Sequence, residues 1–167
     1  MKPAFEILPA CEEDLPGILA IYNHAIQHTT AIWNNALVDL DERQRWWRAR
    51  VDAGFPVLVA LKGVRVAGFA SYAPFRAFEG YKATVELGVY VEEESRGEGI
   101  AVALLRALET HARAAGMHVM VGGIAADNGA SIRLHRRHGF VETGRLPEVG
   151  RKFDRYLDLV FMQKILD

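Results

Sequence analysis

Thr84-Val-Glu-Leu-Gly-Val-Tyr-Val-Glu-Glu-Glu-Ser-Arg-Gly-Glu-Gly-Ile-Ala-Val-Ala-Leu-Leu105 is the stretch whose reading decides the fold. Thr84 to Val91 is dense in β-branched and aromatic residues, the composition of a strand. Glu92 to Ser95 is a polar break, and from Ile100 the apolar residues return at helical spacing. Gly97 and Gly99 leave the backbone bare where that helix begins. The first amides of a helix have no internal partner, and the helix dipole adds positive charge there. A strand, turn and helix start of this kind suits a phosphate.

Known phosphate loops differ in where their glycines fall. A P-loop needs Gly-x-x-x-x-Gly-Lys-Ser/Thr, which this chain lacks. A dinucleotide fingerprint needs Gly or Ala where Val102 stands. Arg-x-x-Gly-x-Ala fits Arg96, Gly99 and Ala101, and this string resembles the coenzyme A pyrophosphate loop of the GNAT superfamily of N-acetyltransferases. A glycine turn that opens a helix is often only a turn, so the rest of the chain has to decide.

The whole composition is ordinary. With 167 residues, half of them apolar and a quarter charged, the chain reads as one domain spanning residues 1–167. A net charge of −1 gives no general attraction to nucleic acid or to an anionic membrane. Arginines cluster at Arg43 to Arg50 and Arg133 to Arg137, read mainly as solvated helix faces. Cys11 is the only cysteine and reads as structural. No signal peptide or membrane span is expected, which makes the cytoplasm the default location.

Taken in order, Phe5 to Leu8 reads as a first strand, followed by a helix from Glu12 with Leu15, Ile18, Leu19, Tyr22, Ala25 and Ile26 on its apolar stripe. His24 and His28 share one side of it, and without a metal-ligand motif they read as solvent or cleft-edge residues. A loop carrying Trp33 is either pinned to the core or lines a site. Asp39 and Glu42 begin a second helix, on which the adjacent Trp46 and Trp47 cannot share a face. A hairpin is predicted over Val57 to Leu61 and Arg65 to Tyr72, turning at Lys62-Gly63. Pro74 to Lys82 is a polar-aromatic connector with Arg76 between Phe75 and Phe78, an arrangement suited to a carboxylate ligand or to a plain surface arginine. After the central helix, a strand is expected from Met117 to Ile124, a helix from Asp127-Asn128 to His138, and a short strand at Phe140 to Gly144. Leu146 to Arg155 reads as a loop because of Pro147 and Gly150, and Tyr156 to Ile165 as the last strand. The sum is an α/β arrangement of a mixed sheet with about four helices.

Asn128-Gly-Ala-Ser-Ile-Arg-Leu-His-Arg-Arg-His-Gly-Phe140 is similar to a second GNAT segment, in which a tyrosine often protonates the departing thiolate. Here His135 holds that position. Thr-Val-Glu-x-x-Val-Tyr-Val, Ser-Ile-Arg-Leu-His and Val-Gly-x-Lys-Phe further resemble the phosphinothricin and methionine sulfoximine/sulfone acetyltransferases, over nearly the whole chain. The family often has His-Ser after the strand glutamate, where this chain has Leu87-Gly88, so the pocket wall there is expected to have lost polar groups.

The resemblance implies a mostly antiparallel sheet of about six or seven strands with a splayed central pair. It implies acetyl-CoA as co-substrate, no metal, a small amino-acid-like acceptor and, with the spare tryptophan of the Trp46-Trp47 pair, a homodimer. The implied cofactor residues are Val89, Tyr90, Val91, Arg96, Gly97, Glu98, Gly99, Ile100, Ala101, Val102, Asn128 and Arg137. The implied acceptor residues are Arg76, Ala77, Phe78, Glu86, Leu87, Gly88 and Asn128.

Acetyl transfer to an α-amine requires removal of a proton, because the amine has a pKa of about 7.7–8.0 and is mostly protonated at neutral pH. Glu86, alone in an otherwise apolar strand, and His135 are the candidate catalytic groups. Glu86 is a weak base unless desolvated; it acts through water, holds the ammonium, or pairs between strands. His135, with a reference pKa near 6.5, suits either a base toward the amine or an acid toward the thiolate. Two other readings stand beside this one: an acetyltransferase for a protein N-terminus, lysine or polyamine, and a non-catalytic coenzyme-binding regulatory module.

Overall fold

In the computed structural model, which describes residues 4–167, seven strands form one sheet in the order β1-β2-β3-β4-β5-β7-β6. The strands are β1 (Glu6–Pro9), β2 (Val57–Lys62), β3 (Arg65–Pro74), β4 (Thr84–Val91), β5 (Val119–Ala125), β6 (Val141–Lys152) and β7 (Arg155–Ile165). The helices are α1 (Leu15–His28), α2 (Leu40–Asp52), α3 (Ile100–Ala114) and α4 (Gly129–Arg137). Every neighbouring pair is antiparallel except β4 and β5, which α3 joins as a parallel crossover. The mixed sheet expected from the sequence is present.

Alternation along the strands fixes the layers. Val85 and Leu87 of β4, with Met120 of β5, point to one face, where Leu104, Leu105 and Leu108 of α3 cover them. On the other face Phe69 of β3 packs with Leu15, Ile18 and Ile21 of α1. Gly17 lets α1 approach β3 closely, since a Cβ there would lie 2.6 Å from Val66 Cβ. The Asp39 carboxylate accepts from the Glu42 N–H at 2.8 Å, the N-cap its position predicts for α2. Cys11 closes the turn before α1, its N–H donating to Asp14 Oδ2 at 2.9 Å.

Four expectations are corrected. The stretch read as a loop from Leu146 to Arg155 is a β-hairpin, with β6 running to Lys152 and β7 starting at Arg155. β6 is the edge of the sheet, where proline costs no ladder hydrogen bond. The register shifts between Leu146 and Gly150, and Glu148 takes a φ of 54° while its N–H donates to Asp158 Oδ1. The β2–β3 turn sits one residue later than expected, after the Lys62–Arg65 pair, with Gly63 at a φ of 65°. Finally, neither tryptophan is spare: Trp46 packs edge-on against Phe69, and Trp47 Nε1 donates to the Ala10 carbonyl. Arg43 also departs from a solvated face, being buried with its guanidinium 3.8 Å from the Tyr22 ring centroid.

Leu104, fully buried, packs α3 against Gly68 of β3 and so sets where the helix start meets the sheet. Leu104→Ala is expected to lower the unfolding free energy by about 2–5 kcal/mol in urea denaturation, as for other cavity-forming core truncations.

Candidate active site

The parallel ladder between β4 and β5 covers only Thr84–Val119 to Leu87–Gly122. Beyond it β4 continues against β3 alone, while β5 continues against β7. Because the Glu92 N–H bonds the Ala67 carbonyl on β3, alternation turns the Val89 and Val91 amides away from β3, into the gap. Backbone donors without a strand partner need another acceptor.

The glycine loop stands at the mouth of this gap. Gly97 and Gly99 have φ of 80° and 85°, conformations that L side chains rarely adopt. Gly99 is the N-cap of α3 and supplies no side-chain cap, so the first amides of α3 stay open. Ser95 is buried and donates to Glu92, which Arg65 also grips at 2.6 Å, so the base of the loop is fastened to β3. Between this loop, α1 and α4 lies a cleft of about 840 Å³. A smaller slot of about 60 Å³ occupies the splay itself.

His135 lines that slot, whereas Glu86 lines neither cavity and sits on the opposite face of the sheet beside Gly123. His135, 3% exposed, lies under Gly122, where a Cβ would come within 3.2 Å of Nε2. Its Nδ1 lies 2.8 Å from the Ser131 carbonyl. A carbonyl can only accept, so Nδ1 carries the proton and Nε2 is left as a bare lone pair. Nε2 is buried without a partner. Burial pushes the His135 pKa down, against the smaller upward pull of the Ser131 carbonyl. Glu86 lies across the sheet, where a Cβ on Gly123 would stand 2.8 Å from Oε1. Glu86 is exposed as a residue, yet partial loss of water raises its pKa, opposed by the nearby Arg76 guanidinium. Two adjacent glycines thus each vacate one face for one functional group.

The main cleft gathers Val89, Tyr90 and Val91 of β4, Arg96, Gly97 and Gly99 of the loop, and Ile100, Ala101 and Val102 of α3. Asn128 and Arg137 of α4 line it as well, Asn128 also capping α4 by accepting from the Ser131 N–H at 3.2 Å. Leu87 and Gly88 line the slot with His135. Glu98 is not part of either wall, because Lys62 holds its carboxylate at 2.8 Å. Arg76, Ala77 and Phe78 are exposed on the connector outside both cavities, Arg76 lying over the Phe75 ring. His24 and His28 line the cleft edge, His24 pairing with Glu93 at 3.0 Å.

Several site residues escaped the sequence reading. Gly122 and Gly123 carried a usable signal, since glycines inside an apolar strand often mark a close approach. Residues 29–31 and Arg155 carried none, because distant segments bring them to the cleft, and Phe153 stood only as the last residue of the Val-Gly-x-Lys-Phe motif. Among the described residues no group of three His, Cys, Asp or Glu is placed to hold a metal, and no helix is long and apolar enough to cross a membrane.

A sheet opened between two parallel strands, with a bare helix start at its mouth, suits an enzyme that takes a phosphate-bearing carrier. Residues 18–140 match the Acetyltransferase (GNAT) family, and the chain belongs to that family. It is 56% identical over 155 residues to an L-methionine sulfoximine/L-methionine sulfone acetyltransferase of Pseudomonas paraeruginosa, covering 92% of this chain and 90% of the relative. A Brucella melitensis structure described as a ribosomal-protein-alanine N-acetyltransferase is 54% identical, with TM-score 0.95 over 96% of this chain and 99% of that one. A Sinorhizobium meliloti phosphinothricin acetyltransferase in complex with acetyl-CoA is 32% identical, with TM-score 0.94 over 98% of this chain and 89% of that one.

The pKa directions predict the acid limb of activity. With Glu86 and His135 as proton acceptors, activity is expected to be lost as pH falls through the pKa of each, the carboxyl raised above its usual range by loss of water and the imidazole lowered by burial. A pH profile of kcat/KM is expected to show that loss as an acid limb. Gly123→Ala, which forces Glu86 aside, is expected to lower kcat about tenfold with an unchanged melting temperature.

Proposed function

We propose that this chain moves an acetyl group from acetyl-CoA to the α-amine of a small amino-acid analogue, with methionine sulfoximine and methionine sulfone ahead of phosphinothricin. The observation that carries the reading is the orphan Nε2 of His135 in the wall of the slot, with Glu86 beside the adjacent Gly123 on the other face of the sheet. The 56% identity to a sulfoximine/sulfone acetyltransferase supports the choice of acceptor.

The residues present fit acetyl-CoA. Open amides of α3 and the glycine loop suit its diphosphate, and the free edge of β4 suits the amides of its pantetheine arm. The thioester would then reach the slot, with the Val89 amide available to its carbonyl oxygen. The Arg76 guanidinium, beside Glu86, is the candidate for the acceptor's carboxylate.

Glu86, its carboxyl pKa raised, takes the first proton from the ammonium, directly or through a water. The free amine attacks the acetyl carbon, forming the C–N bond. His135 Nε2 then removes the second proton from that nitrogen. The resulting imidazolium sits in a buried site that disfavours its charge, so it gives the same proton to the sulfur as the C–S bond breaks. One group thus serves as base and then as acid. Products are the N-acetyl amino acid and free coenzyme A, with one proton released through Glu86.

We further propose a single catalytic domain, a cytoplasmic location where acetyl-CoA is supplied, and pairing of two copies. Both tryptophans of α2 are used within the chain, so pairing rests instead on exposed Val141 and Val149 of β6 and Tyr156 of β7. Light scattering at twice the monomer mass is the expected outcome. A peptide acceptor is the second reading, favoured by the likeness to the ribosomal-protein-alanine acetyltransferase.

Turnover of acetyl-CoA should be seen with methionine sulfoximine and sulfone and be absent with an alanine-starting peptide; activity on the peptide alone would overturn the small-molecule reading. His135→Phe is expected to lower kcat by about 10²–10³-fold while the Kd for acetyl-CoA stays within about twofold, measured by steady-state kinetics and titration.

A further inference from the structure

Lys152, the last residue of β6, is 3% exposed and has no carboxylate partner among the described residues. Its Nζ donates to the carbonyls of Thr29 and Ile32, each at 2.6 Å, and of Ala25 at 3.4 Å. An ammonium has three protons, and each finds a carbonyl. The Ala25 and Thr29 carbonyls lie at the C-terminal end of α1, where the dipole is negative, and the Ile32 carbonyl lies in the turn that follows. The 29–32 turn therefore wraps a cation supplied by a strand more than a hundred residues away in sequence.

Two other contacts fasten the same turn. Trp33 Nε1 donates to the Thr30 carbonyl at 2.8 Å, and its ring lies on Gly150 of β6, where a Cβ would come within 2.1 Å. The Thr30 hydroxyl donates to Asp127 Oδ1 at 2.7 Å, and Arg155 of β7 holds the other oxygen at 2.6 Å. The β6–β7 hairpin and the turn before α4 thus grip residues 29–33 together. Ala31, inside this grip, lines both the main cleft and the reaction slot.

We infer that Lys152 is a positioning residue for the acceptor: caged by the carbonyls of Ala25, Thr29 and Ile32, it fixes the 29–32 turn as a wall of the reaction slot. The inference rests on the proposed function, in which the coenzyme is held by residues 96–102, α4 and the edge of β4. Lys152 bonds to none of those elements, so its loss is expected to weigh on the acceptor more than on the donor, whose cleft the turn borders through residues 29–31. Without the ammonium, the Thr29 and Ile32 carbonyls lose this donor, while Ala25 keeps the Thr29 N–H and hydroxyl, and water must enter or the turn must open.

Two full-length variants test this. Lys152→Met keeps the length of the side chain and removes every donor. Gly150→Ala leaves Lys152 in place and displaces Trp33. Each is expected to raise the acceptor KM at least about tenfold while the acetyl-CoA Kd stays within about twofold. Hydrogen exchange of the 29–33 amides should quicken in both, a readout that needs no acceptor. Should the wild-type protein acetylate none of the amino acids tried, the proposed function fails, and the exchange rates still report whether Lys152 holds the turn. An acceptor KM within about threefold of wild type, a parallel rise in the acetyl-CoA Kd, or unchanged exchange at 29–33 overturns the inference. If Lys152→Met does not fold, Gly150→Ala decides alone.

Discussion

Beyond the Leu87–Gly122 pair, β4 keeps β3 on one side and has no strand on the other. A half-paired strand inside a sheet is costly, because backbone N–H groups facing a cavity forfeit a ladder bond. The cost is confined to a few residues, since β5 goes on pairing with β7 to Ala125. What the opening supplies is a row of main-chain donors beside a helix start whose amides are also free. A linear carrier with a charged end and an amide-bearing arm matches that layout in both charge and direction. The Gly122-Gly123 pair belongs to the same device, because any side chain at either position would press on His135 or Glu86.

The two titratable groups are tuned in opposite senses by the same cause. Loss of water disfavours charge, which lifts a carboxyl and lowers an imidazole. The carboxyl is thereby made a stronger base and the imidazolium a stronger acid. Tautomer matters as much as pKa. A carbonyl partner at Nδ1 fixes Nε2 as an acceptor in the resting state, and a histidine so held can act as an acid only after it has first been a base. A tyrosine in the same place would begin with a proton and needs no such loading step.

The strand–loop–helix unit from Thr84 to Leu105 was legible because its signals are local: composition, a polar break, glycines at the turn and helical periodicity. The motif around His135 was legible for the same reason. The facing of Glu86 and His135 across the sheet was not, because it depends on the register between β4 and β5, which no local pattern encodes. Pro147 and Gly150 suggested a loop, yet at a sheet edge neither residue breaks a strand, and Gly150 serves to receive Trp33. Lys152 appeared only as a letter in a motif. Its role lies in carbonyls of α1 and the following turn, and a backbone acceptor leaves no trace in residue type.

Leu87-Gly88 bears on the acceptor side differently once the neighbouring side chains are in place. A Cβ on Gly88 would meet the Tyr90 ring at 3.0 Å and its hydroxyl oxygen at 3.2 Å. The phenol leans back along β4 into the volume a larger residue would fill, steadied by stacking on Phe69 at 5.0 Å between centroids. Loss of water pushes the Tyr90 pKa up to about 12, so the hydroxyl keeps its proton at neutral pH and remains a hydrogen-bond donor. The wall beside Glu86 has therefore exchanged a short polar side chain for the tip of a longer one. Removing side-chain atoms at one position has not made the surface apolar, because the strand's alternation brings Tyr90 to the same face two residues on.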